Sequence, residues 1–243
     1  MSGRGVIVIT GAGSGIGRAT ATRLSALGYP LVLVGRRRDA LRETASACVG
    51  ACTLVDLDVA QADSGPEILR RLAADNPEES GIAALLNNAG RAITGTIAES
   101  SHGEIASAFA VNAVAPTALV SACWSGLMAH AALHGRATVV NVSSIATMDP
   151  FPNLYAYACA KAALNIGALC VHREGRPLGI RGFAVAPGSV ETAMLRSVVS
   201  TDVLPTEQTL SPDAVAKVIV ECIEGARDRE SGTTIVVKPV HGV

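Results

Sequence analysis

Seven short apolar runs recur along this chain, separated by stretches long enough for helices. They are Val6–Thr10, Leu31–Val34, Thr53–Leu57, Ala83–Asn87, Thr138–Val142, Gly182–Ala186 and Thr233–Val237. Continuous apolar runs of this length suit strands covered on both faces, and strands alternating with helices pair in parallel. The expected fold is therefore α/β, a doubly wound seven-stranded parallel sheet forming a single domain over residues 1–243. Helix one should begin around Ser14 to Gly17 and stop at Gly28, where glycine can take the left-handed cap. Glu104–Leu133 and Leu154–Arg173 read as long Ala-rich helices, and Ser211-Pro212-Asp213 opens another that runs to Glu224.

Composition narrows what such a sheet can serve. Hydrophobic residues make up 49% of the chain but aromatics only 3%, so Ala, Val, Leu and Ile must build the core. A net charge of −1 gives no electrostatic basis for binding nucleic acid or an anionic membrane. No apolar run is expected to span a bilayer, and Met1 to Thr10 leads straight into a strand rather than a secretion signal. A cytoplasmic protein is expected. Six cysteines (Cys48, Cys52, Cys123, Cys159, Cys170, Cys222) lack C-x-x-C or metal-ligand spacing and read as small core fillers, and no metal site is expected. The histidines (His102, His130, His134, His172, His241) have no partner pattern and read as ordinary surface or core residues.

Chemistry concentrates at two places. After the first strand comes Thr10-Gly11-Ala12-Gly13-Ser14-Gly15-Ile16-Gly17, a glycine turn that lets a dinucleotide pyrophosphate approach the backbone at the positive end of a helix. Farther on, Tyr157 and Lys161 stand four apart, on one helix face, with Ser144 thirteen residues before the tyrosine. A phenol is a poor proton shuttle near neutral pH, and bringing its pKa to about 7 takes roughly 4 kcal/mol. A unit charge ~4 Å away at an effective dielectric near 20 supplies about that much, so Lys161 is expected to lower Tyr157. Tyr155 cannot take the role, because four residues beyond it stands Cys159. Cys159 itself falls between Tyr157 and Lys161, but helical geometry turns it to another face.

The G-x-x-x-G-x-G spacing of Gly11, Gly15 and Gly17 resembles the short-chain dehydrogenase/reductase family, in its compact single-domain branch with a Rossmann fold. Further motifs in the same order carry the resemblance over nearly the whole chain: Asp58-Val59, Asn87-Asn88-Ala89-Gly90, Asn112, Ser144, Y-x-x-x-K, and Pro187-Gly188 with Thr192. It implies that Gly11, Ser14, Gly15, Ile16 and Gly17 hold the cofactor phosphates, with Asp58 and Val59 flanking its adenine. Asn88, Ala89 and Gly90 would line the cleft, while Pro187, Gly188, Val190 and Thr192 would contact the nicotinamide. Ser144 would position a substrate oxygen and Tyr157 would give it a proton. Lys161 would lower the tyrosine and hold the nicotinamide ribose, and Asn112 would support a water leading to the lysine. Pro150-Phe151 and Ser231-Gly232 loosely resemble the sepiapterin-reductase-like subgroup.

Where an NAD-preferring fold usually carries an acid after the second strand, this chain has Gly35-Arg36-Arg37-Arg38. Guanidinium suits a 2′-phosphate, so NADP is expected over NAD, through Arg36, with Arg37 or Arg38 as a solvated helix start. Residues 145–156 should form one pocket wall, and Val190, Met194 and Leu195 a lid within 189–210. Those side chains suit reduction of a small, mostly apolar ketone or aldehyde. The alternatives are an NAD-dependent alcohol dehydrogenase of the same family and a non-catalytic dinucleotide sensor. Intact Ser144, Tyr157 and Lys161 favour the enzyme. The long helices are expected to build a homodimer or homotetramer. Two departures from the family stand out: Phe183 replaces a usual asparagine, and residues 237–243 lack the usual D-G-G, which weighs against a tetramer.

Overall fold

In the computed structural model, residues 4–75 and 81–238 are described. Seven strands form one sheet in the order β3-β2-β1-β4-β5-β6-β7, every neighbouring pair parallel. They are β1 (Val6–Thr10), β2 (Leu31–Gly35), β3 (Cys52–Asp56), β4 (Ile82–Asn87), β5 (Ala137–Val142), β6 (Ile180–Pro187) and β7 (Thr234–Val237). All seven expected strands are present, with ends that differ from the apolar runs by no more than two residues. The chain reverses its direction of travel across the sheet between β1 and β4. Connections leaving those two strands go opposite ways, so a crevice opens beyond their carboxyl ends.

Both sheet faces are covered, and the two-residue period of the strands decides which core each side chain joins. From β1, Ile7 and Ile9 enter one core with Leu24 of α1 (Gly15–Ala26) and Val215 and Ile219 of α8 (Pro212–Glu224). Val6 and Val8 enter the other with Leu119, Cys123 and Leu127, spaced four apart along α5 (Ala115–His134). Phe183 is fully buried in the first core, opposite Val140 of β5. At this position the chain has packing where the usual asparagine would need a partner.

The expected helix over Glu104–Leu133 is interrupted. α4 (His102–Phe109), opened by a reciprocal Ser101–Glu104 capping box, passes into a π turn at Ala110–Val114 before α5 begins. Pro116 explains the widening: it has no N–H for the Asn112 carbonyl, and its ring would strike that carbonyl in a regular helix. Contrary to the sequence expectation, residues 102–134 are long and apolar enough to cross a bilayer by length and composition. In this fold one side of that segment packs against the sheet.

The remaining helices are α2 (Arg38–Ser46), α3 (Ser64–Asp75), α6 (Tyr155–Gly175) and the short α7 (Ala193–Arg196). The core-filler reading of the cysteines holds for Cys123 and Cys222, which are buried. It fails for Cys159 and Cys170, which lie exposed on α6. His130 is buried and stacked on His134, with ring centroids 4.3 Å apart. His241 and the C-terminal departure at 239–243 lie outside the described residues.

Candidate active site

Every motif singled out from the sequence follows the carboxyl end of a strand or sits on a helix packed beside one. A cleft of about 460 Å³ runs across those ends. Its first wall is the glycine turn. Gly11 has φ +65, and a Cβ there would lie 2.8 Å from Asn88 Nδ2 and 3.0 Å from Ala89 Cα. Asn88 Nδ2 donates to the carbonyls of Thr10 (2.9 Å) and Gly11 (3.2 Å), while Thr10 Oγ1 accepts from the N–H groups of Asn88 and Ala89, both at 3.0 Å. The turn and the loop after β4 are thereby tied together. A Cβ on Gly17 would fall 2.3 Å from the Gly11 carbonyl oxygen, so α1 can begin this close to the turn only with glycine there.

Helix α1 starts without a side-chain cap on Ser14 and without an acid in its first turn. Its orphan N–H groups face the cleft wall formed by Gly13, Ser14, Gly15 and Ile16. These features fit a dinucleotide pyrophosphate: uncapped donors, a positive helix end and no side chain in the way. Arg36, Asp58 and Val59 line the cleft beside β2 and β3, next to Arg37. Arg38 instead pairs with Asp56 at 2.5 Å. Neither Arg36 nor Arg37 has an ion-pair partner among the described residues.

At the other end stand Ser144, Tyr157 and Lys161. Ser144 follows β5 and accepts from the Ala146 N–H (3.2 Å), and it shares a hydrogen bond with Tyr157, near the start of α6. Lys161, one turn later and 3% exposed, donates to the Val142 carbonyl at 2.7 Å. Burial lowers its pKa to about 8. The expectation of a tyrosine lowered by the lysine is not met by these groups. Burial raises Tyr157, only its hydrogen bond to Ser144 opposes that, and Lys161 Nζ lies 5.9 Å from the ring centroid with its proton directed to Val142. Desolvation outweighs the Ser144 hydrogen bond, so the phenol keeps its proton.

Asn112, at the π turn, is fully buried behind the cleft rather than lining it. Its Oδ1 accepts from the Arg91 N–H (3.1 Å), and its Nδ2 donates to the carbonyls of Arg91 (2.9 Å) and Ala108 (3.0 Å). Gly90 brings it close to the lysine, since a Cβ there would sit 2.8 Å from Asn112 Oδ1 and 3.2 Å from Lys161 Nζ. Asn88, Ala89 and Gly90, then Pro187, Gly188, Val190 and Thr192, complete the cleft. Of the expected site residues, only Gly17 and Asn112 stand outside its lining. Arg91, absent from the expected set, lines it although it directly follows the Asn-Asn-Ala-Gly motif. Among the described residues no group of His, Cys, Asp or Glu is placed to hold a metal ion.

Over the Tyr157 end lies the segment after Gly188. Its base is closed by Glu191 N–H to the Leu210 carbonyl (2.9 Å) and Leu210 N–H to the Ser189 carbonyl (2.8 Å). Inside it Arg196 pairs with Glu191 and donates to the Leu204 carbonyl at 2.8 Å. Met194, Leu195 and Val198 from this segment face Phe151 and Leu154 across the cleft.

A family model described as short chain dehydrogenase matches residues 5–203. A sulfoacetaldehyde reductase of Chromohalobacter salexigens is 32% identical over 189 residues, covering 76% of this chain and 72% of that protein. An uncharacterised oxidoreductase of Staphylococcus aureus (strain MRSA252) is 25% identical over 97% of both chains. Among solved structures, a putative NAD(P)-dependent gluconate 5-dehydrogenase from Beutenbergia cavernae with bound NADP at low occupancy aligns with a TM-score of 0.83. That protein is 26% identical, with 96% of this chain and 95% of that one covered. A 3-ketoacyl-(acyl-carrier-protein) reductase from Brucella melitensis complexed with NADH shares the fold, with a TM-score of 0.89 at 22% identity over 98% of both chains. A parallel Rossmann sheet with a dinucleotide cleft at its switch point defines the class, and within it this chain belongs to the short-chain dehydrogenase family. It is an oxidoreductase of the NAD(P)-binding kind, acting on a small molecule.

Proposed function

We propose that the protein catalyses NADPH-dependent reduction of a small, mostly apolar ketone or aldehyde. The observation that carries this reading is the meeting of Ser144, Tyr157 and Lys161 at one end of a cleft whose other end presents unpaired Arg36 beside the β2 terminus. A nicotinamide held in this cleft would supply hydride for the carbonyl carbon. Ser144 Oγ–H donates to the substrate oxygen and aligns it. Tyr157, held as the neutral phenol by burial, transfers its proton to that oxygen as negative charge develops, so a C–H and an O–H bond form while the C=O π bond breaks. Lys161, anchored by one N–H on the Val142 carbonyl, would hold the nicotinamide ribose with its remaining N–H groups.

Arg36 would hold the 2′-phosphate, and Gly11 to Ile16 with the α1 N-terminus would hold the pyrophosphate. Gly17 serves by close packing, and Asn112 by fixing the loop after β4 rather than by touching the ligand. Phe151, Leu154, Met194, Leu195 and Val198 supply an apolar wall, with 189–210 as a lid clasped by Glu191 and Arg196. A symmetric oligomer is part of the same reading. Exposed Val114 (62%) and Leu133 (66%) on the long helical segment, and Ile166 (63%) on α6, favour a two-fold interface there.

The test is NADPH oxidation followed by absorbance across neutral aromatic and aliphatic carbonyls and anionic ones, including sulfoacetaldehyde. Neutral carbonyls should turn over faster. Consistently faster turnover of the anions would assign the pocket to a charged substrate instead.

A further inference from the structure

Four basic residues line the cleft, Arg36, Arg37, Arg91 and Lys161, against one acid, Asp58. Lys161 stands at the Tyr157 end, where the ribose is assigned to it, and Arg36 and Arg37 stand together at the β2 end. The pyrophosphate seat at the glycine turn has backbone donors and the Ser14 hydroxyl but no charged side chain of its own, because the nearby Arg18 is spent on the Gly13 carbonyl (2.7 Å), Glu43 (2.7 Å) and Thr44 (3.1 Å). Arg91 has no ion pair among the described residues. It also borders a side pocket with Glu104, whose Oε2 accepts from the Ser101 N–H (2.9 Å) and hydroxyl (2.7 Å) and which forms no ion pair with Arg91.

We propose that Arg91 is a further cofactor-binding residue, which clamps the dinucleotide pyrophosphate from the loop after β4, beside the glycine turn. Two contacts place it there. Ala89 Cα lies within 3.0 Å of where a Gly11 Cβ would be, and Arg91 is two residues beyond, so its Cα is at most about 7 Å from that contact. Asn112 fixes the Arg91 backbone at both its N–H and its carbonyl, which leaves the side chain as the only free part of the residue. A guanidinium rising from such a base can form a bidentate pair with phosphate oxygens. The two phosphate groups of the cofactor are then read by different arginines, the 2′-phosphate by Arg36 and the pyrophosphate by Arg91.

The proposal rests on the dinucleotide reading but not on NADP preference, and binding alone separates the two. Calorimetry on wild type, Arg91→Ala, Arg91→Lys and Arg36→Ala uses four probes: NADPH, NADH, ADP-ribose and 2′-AMP. Arg91→Ala should weaken NADPH, NADH and ADP-ribose alike by roughly tenfold or more and leave 2′-AMP unchanged, with Arg91→Lys recovering part of the loss. Arg36→Ala should weaken NADPH and 2′-AMP only. The bonds from Asn112 go to the Arg91 backbone, so truncating the side chain leaves them in place, and an unchanged circular dichroism spectrum checks the fold. Unchanged affinity of Arg91→Ala for the three pyrophosphate probes overturns the proposal. So does a variant altered only in its KM for sulfoacetaldehyde, which would give Arg91 to a substrate anion. Equal wild-type affinity for NADPH and NADH overturns the Arg36 reading and leaves this one standing, whereas wild type binding none of the probes removes the dinucleotide reading and this proposal with it.

Discussion

Replacing Lys161 with methionine should change how the stability of this protein depends on pH. The ammonium is 3% exposed, and burial moves its pKa from 10.5 to about 8. That difference corresponds to about 3 kcal/mol of cost for keeping the charge in the folded protein. The folded pKa is the lower one, so between about 8 and 10.5 the unfolded chain binds more protons than the native state. The cost is therefore full below pH 8 and is relieved as pH rises towards 10.5. Methionine carries no charge at any pH but leaves the Val142 carbonyl without its 2.7 Å donor, a loss of about 1–3 kcal/mol. At pH 7 the variant should thus be as stable as wild type or up to about 2 kcal/mol more stable. Its advantage should shrink by about 3 kcal/mol on going to pH 10.5. Thiols and phenols that burial raises, such as Cys123 at about 12, lose stability as pH climbs, but they are common to both proteins and cancel in the difference. Urea unfolding followed by circular dichroism at several pH values reads that difference directly. A constant gap between the two proteins from pH 7 to 10.5 would refute the argument that Lys161 is buried against its charge.

Arg36→Ala should lower NADPH affinity roughly tenfold to a hundredfold in calorimetry with NADH affinity unchanged, the loss of one charge-assisted contact to phosphate. Light scattering at micromolar concentration should report a multiple of the 24.7 kDa chain mass, and a lone monomer peak would contradict the interface drawn on the long helices.

The alternation of apolar runs was sufficient to read the sheet, because strands buried on both faces leave a continuous signal, as the fully buried β1 and β4 show. Motif spacing located nearly the whole cleft, since its residues follow strand ends that the sheet brings together. What sequence could not convey depends on three-dimensional approach. The π turn needed the clash of Pro116 with the Asn112 carbonyl to be felt in a helix, a local signal hidden in an apolar run. The state of Tyr157 depends on burial, which spacing does not report and which raises the phenol against the hydrogen bond from Ser144. Arg91 was overlooked because nothing around it in the sequence marks a ligand, and only the bonds from Asn112 and the nearness of the glycine turn give it a place. The exposed faces carrying Cys159 and Cys170 were equally invisible, because both stand in an Ala-rich helix with little amphipathic contrast.

The central claim is that the Tyr157 hydroxyl gives its proton to a carbonyl oxygen while the rest of the cleft holds the cofactor. Tyr157→Phe tests it most directly, with NADPH affinity by calorimetry and carbonyl-dependent NADPH oxidation measured on the same preparation. The account predicts nearly unchanged affinity and loss of turnover to well under a tenth of the wild-type rate, at the low end of what general acid catalysis contributes, typically about 10²–10⁴-fold. A variant that keeps more than a tenth of the rate would show that the proton comes from elsewhere.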